Sequence, residues 1–141
     1  MATTTATITL ATSDMADSNF SVSNTSTLYT AGTDTGISET TGLGRKKVAT
    51  SGNVVLLDGG LTSGVAADVT ADKSAKVFIK NHNDRGDGTK YVDILIKTRE
   101  IGRLYGGDWM FMPWSGGSGE DIEYTASDTT ETTLEYCVFY E

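Results

Sequence analysis

The sequence predicts an all-β protein: an antiparallel β-sandwich or barrel of jelly-roll-like type, with an extended N-terminal arm. Short segments that alternate apolar and polar residues recur along the 141 residues, and turn-forming residues separate them. Thr, Ser and 16 glycines are abundant, with a single proline, which is typical of short strands joined by glycine turns. The best candidate for a helical turn, residues 61–72, contains glycine and β-branched residues that disfavour a helix.

The first 44 residues predict the arm. Residues 3–12 alternate Thr with Ala, Ile and Leu, which indicates a strand with one apolar face. A second alternating stretch covers residues 19–30, and the polar, glycine-rich residues 31–44 predict a loop. Because this region has few large apolar side chains, we expect it to gain order by lying on another surface. Residues 45–141 then form the sandwich body of a single-domain protein.

The body carries most of the strand signal, within a total of roughly eight to ten strands for the chain. Its predicted strands are 47–50, 53–57, 75–81, 91–97, 101–105, 109–114, 121–125 and 132–140. The segment between residues 81 and 91 is rich in Asn, Asp and Gly, so we predict that strands 75–81 and 91–97 form a hairpin with a long tip. In the last strand, Leu134, Tyr136, Val138 and Tyr140 share one face, opposite Glu135, Cys137 and Phe139.

The net charge of −8 disfavours direct binding of nucleic acid. The one dense basic cluster, Arg45-Lys46-Lys47, predicts a solvated loop or strand edge, or alternatively an ion-pairing site for an acidic partner. The longest aliphatic run, Val54-Val55-Leu56-Leu57, is far shorter than a membrane span. Residues 1–5 do not resemble a signal peptide, so we expect synthesis in a reducing cytoplasm and no membrane contact.

Side chains suited to catalysis are few and scattered. His82, the sole histidine, lies in a polar loop, whereas Cys137, the sole cysteine, lies in an apolar strand, so a Cys-His pair is not expected. Glu120, Asp121 and Glu123 resemble a carboxylate pair of a glycosidase, but acidic residues are common on the polar side of a strand. The sequence therefore predicts no enzyme.

Metal and cofactor motifs are also incomplete. A calcium loop starting at Asn81 fails at its fifth position, Arg85, and at its twelfth, Val92. The glycine-rich segments 42–44 and 116–119 lack the helix and lysine of a phosphate loop. We expect neither a metal nor a cofactor.

Residues 101–114 are the most informative segment, because they contain both tryptophans, two of the four methionines and the proline. Trp109 and Phe111 share one face of the predicted strand, and Met110 and Met112 share the other. One interpretation is a central strand buried on both sides. The other is a subunit interface or ligand platform, since Trp, Met and Tyr are enriched in interfaces.

This segment, Ile101-Gly102-Arg103-Leu104-Tyr105 followed by Gly-Gly-Asp-Trp-Met-Phe-Met-Pro-Trp, resembles small virion proteins of tailed bacteriophages, especially phages of aquatic bacteria. The Thr-rich start, Gly42-Leu43-Gly44-Arg45-Lys46 and the terminal Leu134-Glu135-Tyr136 and Tyr140-Glu141 are similar in character. The resemblance is firmest over residues 71–141. It implies a β-rich virion structural protein without a catalytic motif.

Within that class, the resemblance favours a capsid decoration or cement protein on the capsid surface. Such proteins are often trimers and bridge neighbouring copies of the major capsid protein. The residues predicted to contact capsid or other virion subunits are Thr7, Ile8, Leu10, Arg45, Lys46, Lys47, Arg103, Tyr105, Trp109, Met110, Met112 and Trp114.

Two other functions remain open. In a receptor- or glycan-binding module of a head or tail fibre, Trp109, Trp114 and Tyr105 would form the stacking platform, with Asp108 or Asp121 accepting hydrogen bonds from sugar hydroxyls. A neck or tail-tube subunit would instead assemble into rings of higher symmetry.

Overall fold

A computed structural model describes residues 3–12, 21–30, 39–40, 42–48, 52–60, 75–86, 90–127 and 132–140. All regular elements in these ranges are β-strands. They are β1 (Thr3–Ala11), β2 (Ser21–Thr30), β3 (Glu39–Thr40), β4 (Gly44–Val48), β5 (Val54–Leu57), β6 (Ala75–Asn81), β7 (Tyr91–Ile96), β8 (Arg99–Tyr105), β9 (Trp109–Trp114), β10 (Ile122–Ala126) and β11 (Thr132–Tyr140). The candidate helical turn at 61–72 lies outside the described residues.

Strands β4 to β11 form a sandwich of two antiparallel sheets. The front sheet has the order β4-β11-β6-β9, and the back sheet has the order β5-β10-β7-β8. If the strands are counted from β4, the front sheet has the order 1-8-3-6 and the back sheet has the order 2-7-4-5. This interleaved order is that of a jelly roll. The predicted all-β, jelly-roll-like sandwich is confirmed.

The front sheet has one further strand, which lies within the predicted arm. β3 pairs with the end of β11, with Thr40 opposite Phe139, whereas β4 pairs with the earlier part of the same strand, with Gly44 opposite Tyr136. β3 and β4 therefore lie end to end beside β11. Among the described residues, pairing with the body begins at residue 39.

The predicted hairpin of residues 75–81 and 91–97 is wrong. β6 belongs to the front sheet and β7 to the back sheet, so these two strands do not pair with each other. The hairpin partner of β7 is instead β8, which a tight turn at Lys97 and Thr98 joins to it. Both turn residues have positive φ angles, 50° and 65°. The turn contains neither Gly nor Asn, the residues that usually mark it in a sequence.

The core lies between the two sheets, and strand alternation selects its members. Val77 and Ile79 on β6 are fully buried, while Lys76, Phe78 and Lys80, which alternate with them, face outward and are half-buried. The front sheet also contributes Leu134 and Val138 from β11. Opposite them lie Val92, Ile94, Leu57 and Ile122 of the back sheet. The period of two predicted for strands of this kind therefore sorts the core correctly.

β1 and β2 form a separate two-stranded ribbon. They pair antiparallel, with Leu10 opposite Val22 and a register shift between Thr4 and Thr5. In the described part of the chain, these strands pair with each other and with no other strand. Residues 21–27 are exposed throughout. Docking of this arm on another subunit stays a prediction.

Candidate functional site

Strand β9 divides its side chains between the core and the molecular surface. Met110 and Met112 pack against the core, and Trp114 is only 4% exposed. Trp109 is 53% exposed on the opposite face, which it shares with the half-buried Phe111. β9 is also the edge strand of its sheet. The interpretation of this segment as a central strand buried on both sides is therefore wrong.

The outer face of the front sheet carries a continuous apolar surface, here called the aromatic face. Its members are Phe78, Trp109, Phe111, Cys137 and Phe139. Strand register creates it: Cys137 lies opposite Phe78, and Phe78 lies opposite Phe111, so one apolar row crosses three strands. The ring centroids of Phe78 and Trp109 are 6.3 Å apart, with a tilted arrangement. An apolar cluster of this kind on the outside of a sheet indicates a contact surface.

A groove separates the aromatic face from the N-terminal ribbon. Its volume is about 520 Å³, and the ribbon lines it with Thr5, Ala6, Thr7 and Ile8, joined by Leu43. Ala6 and Ile8 are half-buried, and Cys137 is 8% exposed. The sulfur of Cys137 lies 3.5 Å from Oγ1 of Thr40. The ribbon thus covers the aromatic face in part and leaves an open apolar space beneath it.

Basic residues border the aromatic face. Lys76 and Lys80 flank Phe78 on the outward side of β6, and Arg45 and Lys47 occupy the outward side of β4. Arg45 donates a hydrogen bond of 2.7 Å to Glu135, and this bond lowers the pKa of the Glu135 carboxyl. In the part of the chain that the structure describes, these four basic side chains and Glu135 lie on the outward side of the front sheet, although the chain as a whole carries −8.

Lys46, the middle residue of the predicted basic cluster, points elsewhere. Its Nζ donates to the carbonyl of Val55 at 3.1 Å and lies 5.4 Å from the centre of the Tyr124 ring. Of the predicted cluster, Arg45 and Lys47 thus lie on the outer face, whereas Lys46 bridges the two sheets.

A buried asparagine holds the turn that precedes β9. The side chain of Asn81 donates to the carbonyl of Leu104 at 3.1 Å, and its backbone N–H donates to the carbonyl of Asp108 at 2.9 Å. The loop that follows β6 packs tightly on this turn, because a Cβ at Gly106 would clash with the carbonyl oxygen of Asp84. Hydrogen bonds of Asn81 therefore connect the end of β6 to the turn that precedes β9.

Arg103 and Tyr105 belong to a different cluster, on the outer side of the back sheet. Arg103 donates two hydrogen bonds to Asp93, of 2.6 and 3.2 Å, and its guanidinium lies 3.8 Å from the centre of the Tyr91 ring. The hydrogen bond to Asp93 raises the pKa of Arg103 above its usual range. Tyr105 meets Tyr91 edge-on, with centroids 5.6 Å apart.

The stacking platform expected for a glycan-binding module is not assembled. Trp109 lies on the front sheet and Tyr105 on the back sheet. Trp114 lies in the core, where its Nε1 donates to the carbonyl of Glu120 at 2.7 Å. Sequence reasoning instead missed Phe78 and Phe139 as members of the site. Alternation puts Phe139 on the same face of β11 as Cys137, but only the register of β11, β6 and β9 shows that this face continues to Phe111 on β9.

The acidic residues considered for catalysis hold turns together. Glu120 pairs with Lys97 at 2.9 Å, Asp121 accepts from the backbone N–H of Gly59, and Glu123 accepts from that of Thr98. His82 is exposed in the loop after β6. Among the described residues, no three His, Cys, Asp or Glu side chains group together as metal ligands.

Comparisons with protein families and with curated proteins do not identify this chain. No protein-family model matches the chain, and no curated protein is similar to it. None of the described segments forms a helix long and apolar enough to cross a membrane. The fold and site define a β-sandwich with jelly-roll strand order and one apolar outer face.

Proposed function

We propose that the protein is a structural subunit of a phage virion, of the capsid decoration type, and that it binds the major capsid protein through the aromatic face. The observation that carries this proposal is the apolar outer face of the front sheet, with Trp109 half exposed at its rim. Jelly rolls occur in viral capsid domains, although they also occur in lectins and cupins. The fold supports the proposal only by analogy, and the aromatic face supports it physically.

Trp109 and Phe111 act as the anchors of this contact. Tryptophan is among the residues that contribute most to interface affinity, particularly near the centre of a contact. Each square ångström of apolar surface that a partner covers contributes about 25 cal/mol. The surrounding lysines select an acidic partner surface and steer its approach. Because a shell holds many copies, modest affinity per site is sufficient to reinforce it.

A glycan-binding module is the alternative, and the exposed ring of Trp109 favours it because aromatic rings stack on sugar faces. With Trp114 in the core and Tyr105 on the other sheet, a single tryptophan ring remains for stacking. A glycan array probed with the purified protein tests this alternative, and a specific signal lost in Trp109→Ala would support it against the capsid proposal.

The capsid proposal is tested by occupancy. Purified particles that lack the protein are mixed with wild type, with Trp109→Ala and with Tyr105→Ala, and bound copies are counted by quantitative mass spectrometry. We expect Trp109→Ala to lower the apparent affinity at least about tenfold, and Tyr105→Ala, which changes a partly exposed aromatic on the back sheet, to bind as wild type does. Full occupancy by folded Trp109→Ala would contradict the proposal.

A further inference from the structure

Every edge of the sandwich body carries a feature that discourages pairing with another strand. β8 carries Arg99, Glu100 and Arg103, β9 contains Pro113, and β4 contains three consecutive basic residues. β5 is only four residues long, and Lys46 donates to the carbonyl of its Val55. Charges, proline and short length are the usual means by which proteins protect sheet edges.

The edge of β2 has none of these features. The strand is ten residues long, and its sequence, SVSNTSTLYT, contains neither charge nor proline. Within the described residues it pairs on one side with β1, so its other edge presents a row of backbone N–H and C=O groups. Residues 21–27 are exposed. A long, uncharged edge of this kind is a template for strand addition.

The ribbon also lacks the means to be stable alone. A two-stranded ribbon is marginal in water, whereas three or more strands with an apolar face are stable. Its two strands are joined by the hydroxyl pairs Thr7–Thr25, at 2.8 Å, and Thr9–Ser23, at 3.2 Å. The apolar pair on its other face, Leu10 and Val22, is 54% and 47% exposed. Additional strands would complete this ribbon.

We propose that the β2 edges of two copies of this chain pair antiparallel about a two-fold axis, which produces a continuous four-stranded sheet. An antiparallel edge is complementary to its own copy, as an isologous contact requires. Two chains of charge −8 repel each other over most of their surfaces. The ribbon is uncharged over residues 3–12 and 21–30, so two copies approach there with the least electrostatic cost.

Strand geometry restricts the register of this pairing. Residues of equal parity must face each other, because a shift of one residue would move the apolar row to the opposite face. With that restriction, the hydroxyl side chains of Ser23 and Thr25 from both copies lie on one face of the four-stranded sheet. Val22 of both copies lies on the other face, together with Leu10. A two-fold contact gives a dimer and not the trimer that the resemblance implies. It requires no other protein and so goes beyond the proposed binding to a capsid.

The test uses matched charge variants of the full-length chain. Thr25→Lys and Thr25→Glu place a charge on β2, and Thr9→Lys and Thr9→Glu place the same charge on the same face of β1. Each change removes one hydroxyl pair between the strands. Sedimentation velocity over roughly 1 to 300 μM gives the dimer dissociation constant, and circular dichroism checks folding.

We expect wild type to form dimers and both Thr25 variants to dissociate roughly three- to tenfold more readily, because like charges on opposed strands repel. An equimolar mixture of Thr25→Lys and Thr25→Glu restores dimers, and both Thr9 variants dimerise as wild type does. A wild-type monomer throughout the range, equal weakening by Thr9→Lys and Thr25→Lys, or an oligomer insensitive to all four changes would each overturn the inference. Each of these results leaves the capsid-binding proposal standing, since its own test measures occupancy through Trp109.

Discussion

The two tryptophans of β9 provide a matched pair for separating the core from the contact surface. They lie on one strand, but Trp114 is 4% exposed and donates a hydrogen bond to Glu120, whereas Trp109 is 53% exposed. Truncation of a buried tryptophan to alanine costs about 3–5 kcal/mol. A large aromatic buries up to about 250 Å², so the covered half of Trp109 accounts for roughly 1–2 kcal/mol after allowance for its retained Cβ.

Urea unfolding followed by far-ultraviolet circular dichroism measures the loss in the free energy of unfolding for Trp109→Ala and for Trp114→Ala. We expect the free energy of unfolding to fall at least about 1 kcal/mol further in Trp114→Ala than in Trp109→Ala. Tryptophan emission supplies an internal check, because the fluorescence that remains in Trp109→Ala should be blue-shifted relative to that in Trp114→Ala. Equal losses of stability in the two variants would refute the assignment of opposite faces.

Three further predictions concern the body. Asn81→Ala should lower the free energy of unfolding by about 2–4 kcal/mol, because the backbone groups that the Asn81 side chain binds lose their partner. The control Asn53→Ala removes an exposed hydrogen bond to Thr125 and should lower the free energy of unfolding by less than about 1 kcal/mol. Similar losses of stability in the two variants would contradict the role of Asn81. Thr98→Gly should raise the urea midpoint, because a β-branched residue at φ 65° is strained by about 1–2 kcal/mol; a lower midpoint would show that no strain is relieved. Burial raises the pKa of Tyr124, so the unfolded chain ionises first and stability should fall as the pH rises from about 10 through the higher pKa of the folded state. Tyr124→Phe should reduce that loss in urea titrations between about pH 8 and 11, and a loss as large as in the wild type would count against it.

Alternation alone predicted the faces of β9 and β11, because side-chain direction in a strand repeats every two residues and requires no knowledge of the neighbours. Trp109 was thus separated from Met110 correctly. Sheet membership depends on contacts distant in sequence: the sequence of residues 81–91 is typical of a hairpin tip, although β6 and β7 belong to different sheets. The turn at Lys97 and Thr98 was missed because its positive φ angles occur in residues that seldom adopt them.

The candidate site shows the same limit. The sequence marked Trp109 as a contact residue and grouped it with Trp114 and Tyr105, which the fold directs into the core and onto the opposite sheet. Phe78 and Phe139 come to share a surface with Trp109 only through the register of three strands. Proximity in sequence is therefore a poor guide to which aromatic residues share a surface in a sandwich.

Hydroxyl-radical footprinting of the assembled particle tests the central claim most directly, because it compares the unmodified protein free and bound. Oxidation of Trp109 is measured by mass spectrometry relative to Tyr105, which lies on the back sheet and is 37% exposed. If the aromatic face is the contact surface, Trp109 oxidation falls at least about fivefold in the particle, while Tyr105 oxidation changes little. Equal oxidation of Trp109 in the free protein and in the particle would contradict the account.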